Sequence, residues 1–371
     1  MLFAYKVDFV NYGSTRTIPT IVICENVKCC QNLIIIIFIK NYYKHRFGML
    51  ISSHILSKKL YNWCLKVNSC RYKATMNESL LKSVKACIPT LDGGKHKGQA
   101  GRIGIVGGSL EYTGAPYFAG ISALKVGADL VHVFCASSAA SVIKSYSPEL
   151  IVHPLLDHPN ATAQISPWLE RLHALVIGPG LGRDTETFNV VTDLIKIIKE
   201  KKIPLVIDAD GLFLVTSKPE VIKDFSSPVI LTPNKIEFER LCSSLGGASE
   251  LRTLGENVTV FKKGEEDQVY SSLLEAEWKS NVYGSNRRCG GQGDVLSGSI
   301  ATFLNWTLSN KDKIEIGLAA DPRTAASLAC YSASILVRLC NEKAFKVKGR
   351  SMLAGDMIEY IHESFEELYG Q

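Results

Sequence analysis

From residue 77 onward the chain alternates short apolar runs with small or polar punctuation. Arg102-Ile103-Gly104-Ile105-Val106, Leu130-Val131-His132-Val133-Phe134, Ala174-Leu175-Val176-Ile177, Pro204-Leu205-Val206-Ile207, Val229-Ile230-Leu231 and Asn257-Val258-Thr259-Val260-Phe261 are short and rich in branched residues. That pattern predicts buried strands. The segments between them space their apolar positions helically. Residues 77–87 predict a short helix. A second opens at Tyr112-Thr113-Gly114-Ala115-Pro116, with proline in its first turn, and runs through Ala119, Ile121, Leu124 and Val126 to a stop at Gly127. Residues 185–200 form a third, followed by Lys201 and Lys202. Strand, glycine turn, helix and strand make a βαβ unit, and its repetition predicts a mostly parallel central sheet with helices on both faces.

Each strand hands over to residues with chemistry at its C-terminal end. These are Gly107-Gly108-Ser109, Gly178-Pro179-Gly180-Leu181-Gly182, Asp208-Ala209-Asp210-Gly211, Thr232-Pro233-Asn234 and Lys262-Lys263-Gly264. Any one of them reads as a turn. Five at the same end of their strands read as the crevice that an open parallel sheet uses for ligands. The spacing after Gly107-Gly108 is wrong for a dinucleotide fingerprint, and there is no G-x-x-x-x-G-K-[ST], so an ordinary oxidoreductase cofactor fold and a P-loop are both disfavoured.

Charge divides the chain in two. The formal net charge is +6, yet residues 1–75 carry eleven Lys and Arg against Asp8 and Glu25, leaving the remainder at −3. An acidic body has no electrostatic footprint for nucleic acid. The leader holds no Asp or Glu between Glu25 and Glu78, which suits a mitochondrial transit segment. Its run Leu33–Ile39 is too short to span a bilayer, so no membrane association is expected. Met49 and Met76 offer internal starts, and with them a cytoplasmic product. The expected division is a poorly ordered leader over 1–76 and one α/β domain over 77–371. Eleven cysteines show no paired spacing, which argues against zinc or a disulfide framework. His132, His153 and His173 read as isolated structural histidines.

The richest stretch is Arg287-Arg288-Cys289-Gly290-Gly291-Gln292-Gly293-Asp294, which runs into an apolar helix marked by Leu296, Ile300, Phe303 and Leu304. A helix N-terminus offers free N–H groups and a partial positive charge to a phosphate, and glycines let the backbone come close. Asp294 would repel that phosphate. Its better use is to take the proton from an attacking hydroxyl. Lys263 and Arg288 supply cations, and Cys289 reads as a packing residue. Asn234 and Glu237 share one face of a helix start and could hold hydrated Mg²⁺, or Glu237 could simply complement the helix dipole. Together these parts describe phosphoryl transfer from a nucleotide to an alcohol.

Seven motifs in order resemble one family. They are His96-Lys97-Gly98-Gln99-Ala100-Gly101-Arg102, Glu111 to Tyr117, Lys144 to Leu150, Gly178 to Gly182, Asp208 to Gly211, Thr232-Pro233-Asn234 and Arg287 to Asp294. From about Ile88 to Ile358 the chain resembles the ATP-dependent NAD(P)H-hydrate dehydratases, which have a ribokinase-like fold. The resemblance implies an ATP-dependent repair of NADH hydrate and NADPH hydrate, with Mg²⁺ as cofactor and a separate epimerase as metabolic partner. It implies Asp294 as the base. It places the hydrate against Gly180 and against Asn234, Lys235, Ile236, Glu237, Phe238, Glu239 and Arg240. It places ATP against Lys263, Gly264, Glu265, Glu266 and Asp267, and against Gly284, Ser285, Asn286, Arg287, Arg288, Cys289, Gly290, Gly291, Gln292 and Gly293.

The chain departs from the family in two ways. The stretch between Leu241 and Asn257 looks shorter by roughly one helix (~11–12 residues), and the epimerase domain fused to many bacterial members is missing. Two other functions remain open at this point: a small-alcohol or vitamin-precursor kinase of the same fold, and a nucleotide-binding protein without catalysis. Self-association into a homo-oligomer is left open as well.

Overall fold

The computed structural model describes residues 78–370 apart from Asp92, Lys95, residues 272–277, Asn281 and residues 316–320. The expectations for the leader, 1–76, lie outside the described residues. The chain begins with helix α1 (Glu78–Cys87) and then enters the sheet. In order follow β1 (Arg102–Val106), α2 (Gly114–Val126), β2 (Leu130–Cys135), α3 (Ser137–Tyr146), β3 (Leu150–Pro154), α4 (Ala161–Leu169), β4 (Ala174–Ile177), α5 (Thr185–Glu200), β5 (Leu205–Ile207), α6 (Ala209–Ser217), β6 (Val229–Leu231), α7 (Lys235–Leu245) and β7 (Val258–Lys262). Strands β8 (Asp267–Tyr270) and β9 (Lys279–Ser280) complete the sheet. Four helices close the fold: α8 (Gln292–Ser309), α9 (Pro322–Lys348), α10 (Ala354–Glu359) and α11 (Ile361–Tyr369).

The strands lie in the order β3-β2-β1-β4-β5-β6-β7-β8-β9. β1 to β7 pair in parallel, with Ile105 beside Val133 on one side and Val176 on the other. β8 and β9 add antiparallel at one edge. The six predicted strands are present. β3, β8 and β9 are additions that the apolar pattern did not announce. β3 is an edge strand, with Ile151 exposed and Pro154 at its end, where a missing N–H is tolerated.

Alternation along each strand sorts the core into two layers. Ile103, Ile105, Val131, Val133 and Val176 pack with α1 to α3 and α8 to α11. Leu175, Ile177, Leu205, Ile207 and Leu231 pack with α4 to α7 on the other face. The result is the expected three-layer α/β/α arrangement. α8 is buried nearly all round, from Val295 to Thr307, as befits a helix enclosed by others. Its approach to α2 is very close: a methyl group added at Gly298 would stand 1.9 Å from the Ala119 carbonyl oxygen.

The motif from His96 to Arg102 lies at the N-terminal end of β1, remote in the topology from the crevice. There Gly98 N and Ala100 N donate to Asp129 Oδ2 at 2.7 and 2.9 Å, and Trp306 Nε1 donates to the Ala100 carbonyl at 2.6 Å. The stretch after α7 closes through a short turn of helix over Ala248–Leu254, with Leu251 and Leu254 buried. His132 and His153 are isolated in sequence but not in space. Nδ1 of one lies 3.0 Å from Nε2 of the other, and their rings stack beside Trp168. Among the described residues no helix is long and apolar enough to cross a membrane.

Candidate active site

The C-terminal ends of β1, β4, β5, β6 and β7 meet at one edge of the sheet, and the N-terminus of α8 arrives there from the other end of the chain. Gly291 caps α8 in the left-handed region, at φ 90°. A side chain at that position would collide with Phe118 and Ala354, both 2.8 Å from the position of its Cβ. No side chain caps this helix. The first-turn amides of Gln292, Gly293 and Asp294 find no acceptor among the described residues, so they point donors at the crevice. Gly290 is exposed, with open space around its α-carbon. The loop before it is tied down by its own groups. Gln292 Nε2 donates to the Arg287 carbonyl at 3.1 Å and lies 3.1 Å from Cys289 Sγ, and Arg288 Nη1 donates to the Ser285 carbonyl at 3.1 Å.

Beside this turn lies a buried ion pair. Lys263, just past β7, places Nζ 2.7 Å from Asp208 Oδ1, and Asp208 is 2% exposed at the end of β5. Asp208 stands at the N-cap of α6 but makes no cap bond; its carboxylate is given to Lys263 instead. Ala209, next in the chain, sits at φ 47°, a strained value for a residue with a Cβ, of the kind that concentrates at working sites. Gly293 completes the contact. A Cβ there would press on Lys263 Nζ at 3.3 Å and touch Asp208 Oδ2 at an ordinary 3.7 Å.

The electrostatics follow from this packing. Burial alone would discharge Lys263, but Asp208, then Glu237 and Asp294, outweigh it and hold the ammonium above the usual lysine range. Burial pushes the Asp294 carboxyl up to about 8; repulsion from Asp208 adds to that and Lys263 offsets part of it. A carboxylate of that basicity, next to bare helix amides and a fixed ammonium, is a proton acceptor beside an anion cradle. A model of NAD(P)H-hydrate dehydratase matches residues 103–363, a span that contains every part of this arrangement.

The chain belongs to the NAD(P)H-hydrate dehydratase family. A mosquito relative from Aedes aegypti, an ATP-dependent (S)-NAD(P)H-hydrate dehydratase, is 53% identical over 86% of this chain and 95% of its own length. Solved structures share the fold. A ribokinase-like superfamily protein from Enterococcus faecalis superposes with TM-score 0.62 at 19% identity, covering 78% of this chain and 95% of its own. An ADP/ATP-dependent NAD(P)H-hydrate dehydratase from Bacillus subtilis, co-crystallised with ATP/Mg²⁺, superposes with TM-score 0.56 at 20% identity, covering 77% and 96%. The fold is ribokinase-like.

The residues expected on the hydrate side divide in the structure. Gly180 sits at φ 60° in the loop after β4, packed so closely that an added Cβ would lie 2.5 Å from the Tyr112 carbonyl oxygen. Asn234 and Glu237 form a capping box at the start of α7. Glu237 N donates to Asn234 Oδ1 at 3.0 Å, and Asn234 N donates to Glu237 Oε2 at 2.8 Å. One oxygen of the expected magnesium residue is therefore engaged in holding the helix start. Lys235, Ile236, Glu239 and Arg240 are exposed. Phe238 faces inward. It is buried among the α7 core residues, its ring against Tyr270 at 5.4 Å and under Lys262 Nζ at 4.6 Å, so its side chain is not presented to a ligand.

On the nucleotide side, Glu265, Glu266, Asn286 and Arg288 are exposed, and Gly264 and Arg287 are half-buried. Gly284 and Ser285 are buried, with Ser285 Oγ accepting from Arg287 N at 3.2 Å. Asp267 is buried and fully engaged. Its carboxylate accepts from Gly264 N at 3.0 Å, Ser334 Oγ at 2.6 Å and Arg338 Nε at 2.8 Å. It braces the turn between β7 and β8. Arg338 serves the same brace through the carbonyls of Gly264, Glu265 and Val282.

Several residues of the crevice were not singled out as site residues. Tyr112 stands 58% exposed over Gly180. Thr113 Oγ1 meets the Tyr146 hydroxyl at 2.9 Å. Ser109 Oγ is buried beside Gly182 without a hydrogen-bond partner among the described residues. The pairing of Asp208 with Lys263 was also missed. The usable signal was position: each follows the C-terminal end of a parallel strand or opens the next helix.

Proposed function

We propose that this chain uses ATP to dehydrate the S form of NADH hydrate and NADPH hydrate, restoring NADH and NADPH and releasing ADP and phosphate. The observation that carries it is the juxtaposition of Asp294, raised to about 8, with the uncapped first turn of α8 and the Lys263–Asp208 pair. Hydroxide is a poor leaving group and phosphate a good one. Asp294 takes the proton from the ring hydroxyl as its oxygen attacks the γ-phosphorus. The phosphorus–oxygen bond to ADP breaks, and the amides from Gly290 to Gly293 with Lys263 stabilise the charge on the transferring group. The ring carbon then loses phosphate and its neighbour loses a proton, which restores the double bond.

The residues fit a hydrated magnesium ion carried on the triphosphate. Asp208, Glu237 and Asp294 lie about one ammonium, and with Asp294 ionised their negative charge is in excess, which a second cation offsets. Among the described residues no three His, Cys, Asp or Glu side chains converge to cage a metal directly. Glu237 would hold the ion through water, and the ion would neutralise phosphate charge. The basic, acid-free leader directs the protein to mitochondria, while an internal start leaves it in the cytoplasm; a separate epimerase supplies the S form.

Product analysis is the test. Equimolar ADP, phosphate and reduced dinucleotide from hydrated NADH support the reading. A stable phosphorylated hydrate as the end product identifies a kinase instead.

A further inference from the structure

The loop that carries Gly180 continues into Gly182 and Arg183, and Arg183 has no part in the chemistry described above. Its surroundings are ordered. Asp210, at the start of α6, bonds Arg183 Nε at 2.9 Å through Oδ1, while its Oδ2 accepts from Gly182 N at 3.1 Å. The guanidinium lies over the ring of Phe213 with Cζ 4.4 Å from the centroid. Arg240, on α7, brings its own Cζ to 5.9 Å from the same centroid. The two guanidinium carbons therefore lie at most about 10 Å apart, a span that one phosphate or two joined phosphates can cover through the N–H edges of both.

The details favour a ligand over a surface staple. Asp210 grips Arg183 by Nε alone, so both terminal nitrogens are left without a carboxylate among the described residues. Arg240 has no carboxylate within ion-pair distance among the described residues. The side chain of Arg183 is still 56% exposed. Two guanidiniums are held near one ring, and among the described residues Asp210 is the one carboxylate bonded to either of them. The buried Ser109 hydroxyl, beside Gly182, adds an unused polar group next to it.

We propose that Arg183, stacked on Phe213 with Arg240, binds a phosphate group of the dinucleotide hydrate and so fixes the end of the substrate away from the reacting ring. This rests on the reading that the chain is a hydrate dehydratase. The chemistry is a phosphate held by two guanidiniums, and the dinucleotide offers two sources: the pyrophosphate bridge, present in both substrates, and the 2′-phosphate, present only in NADPH hydrate.

The experiment is steady-state kinetics of the full chain and its Arg183→Gln variant on hydrated NADH and hydrated NADPH, with ATP varied separately. The expected result is a rise of about tenfold or more in KM for hydrate, with kcat and the KM for ATP changing less than about threefold. A rise for both substrates assigns the pyrophosphate; a rise for NADPH hydrate alone assigns the 2′-phosphate. Arg183→Lys, which keeps charge but loses the planar fork, recovers part of the loss. Unchanged hydrate KM for both substrates, with only a lower Tm, overturns the proposal and leaves a stacking staple between loop and helix. Binding of ADP-ribose, measured at saturating non-hydrolysable ATP analogue, is independent of turnover. Its 2′-phosphorylated form, which carries both phosphate sources, is measured beside it: wild type binding either at least tenfold more tightly than Arg183→Gln supports the subsite even if wild type proves inactive on hydrate, and equal binding of both by the two proteins overturns it.

Discussion

Asp294 carries the sharpest consequence at the scale of single residues. Its carboxyl is raised from an ordinary 3.8 to about 8, so in the free protein it is mostly protonated at neutral pH. The limb of kcat/KM that reports the base therefore rises with pH and levels off above about 8, as a pH-rate profile will show. The linkage to stability has the opposite sign. A raised acid contributes stability that is complete below its unfolded pKa near 4 and is lost as pH climbs through 8. Asp294→Asn removes that loss. The variant is more stable than wild type at pH 8 and the gap narrows toward pH 5, which thermal melts across pH will measure. Its turnover falls by about 10²–10⁴-fold while ATP still binds. Gly293→Ala tests the neighbouring contact. The added methyl pushes Lys263 Nζ aside by a few tenths of an ångström, and KM for ATP rises more than KM for hydrate. Asp294 and its glycines were legible in the sequence because their spacing and the helix after them stand in one continuous stretch. The Asp208–Lys263 pair was not, because 55 residues separate the partners and only the sheet brings them together. Within the stretch Asn234 to Arg240, a helical turn sends the Phe238 side chain into the core while its neighbours stay at the surface.

Elements hold the site through a few unusual contacts. α8 can place its N-terminus at the crevice only while it lies against α2, and Gly298 permits that approach. Gly298→Ala forces the helices apart and costs about 1–3 kcal/mol, seen as a fall of several degrees in Tm. The start of α7 depends on the Asn234–Glu237 capping box, and Asn234→Ala costs about 1 kcal/mol, to be checked by urea unfolding. Helices α1, α2, α5 and α8, the start of α7 and six parallel strands were readable because apolar periodicity survives in a short window, whereas α3, α4, α6 and α9 to α11 were not announced. β8 and β9 were not. Asp267-Gln268-Val269-Tyr270 carries polar residues on one face and a buried aspartate at its head, and its strand character comes from pairing with β7. β3 was hidden by its proline and its exposed Ile151.

At the scale of the molecule, a parallel sheet collects loop residues from five strands at one edge, and the last third of the chain delivers the anion-binding turn to that same edge. That placement follows from topology, which is why a row of unremarkable turns in the sequence added up to a crevice. The strand order itself, with β1 between β2 and β4, was not readable, since it depends on which faces the helices must cover. The decisive measurement follows one oxygen. Hydrate prepared in heavy-oxygen water carries the label in its ring hydroxyl. Transfer of the γ-phosphoryl group to that hydroxyl predicts that, after turnover with ATP, the label is recovered in the released inorganic phosphate. Label recovered in water, with unlabelled phosphate, would mean that ATP is hydrolysed apart from the ring and would contradict the account.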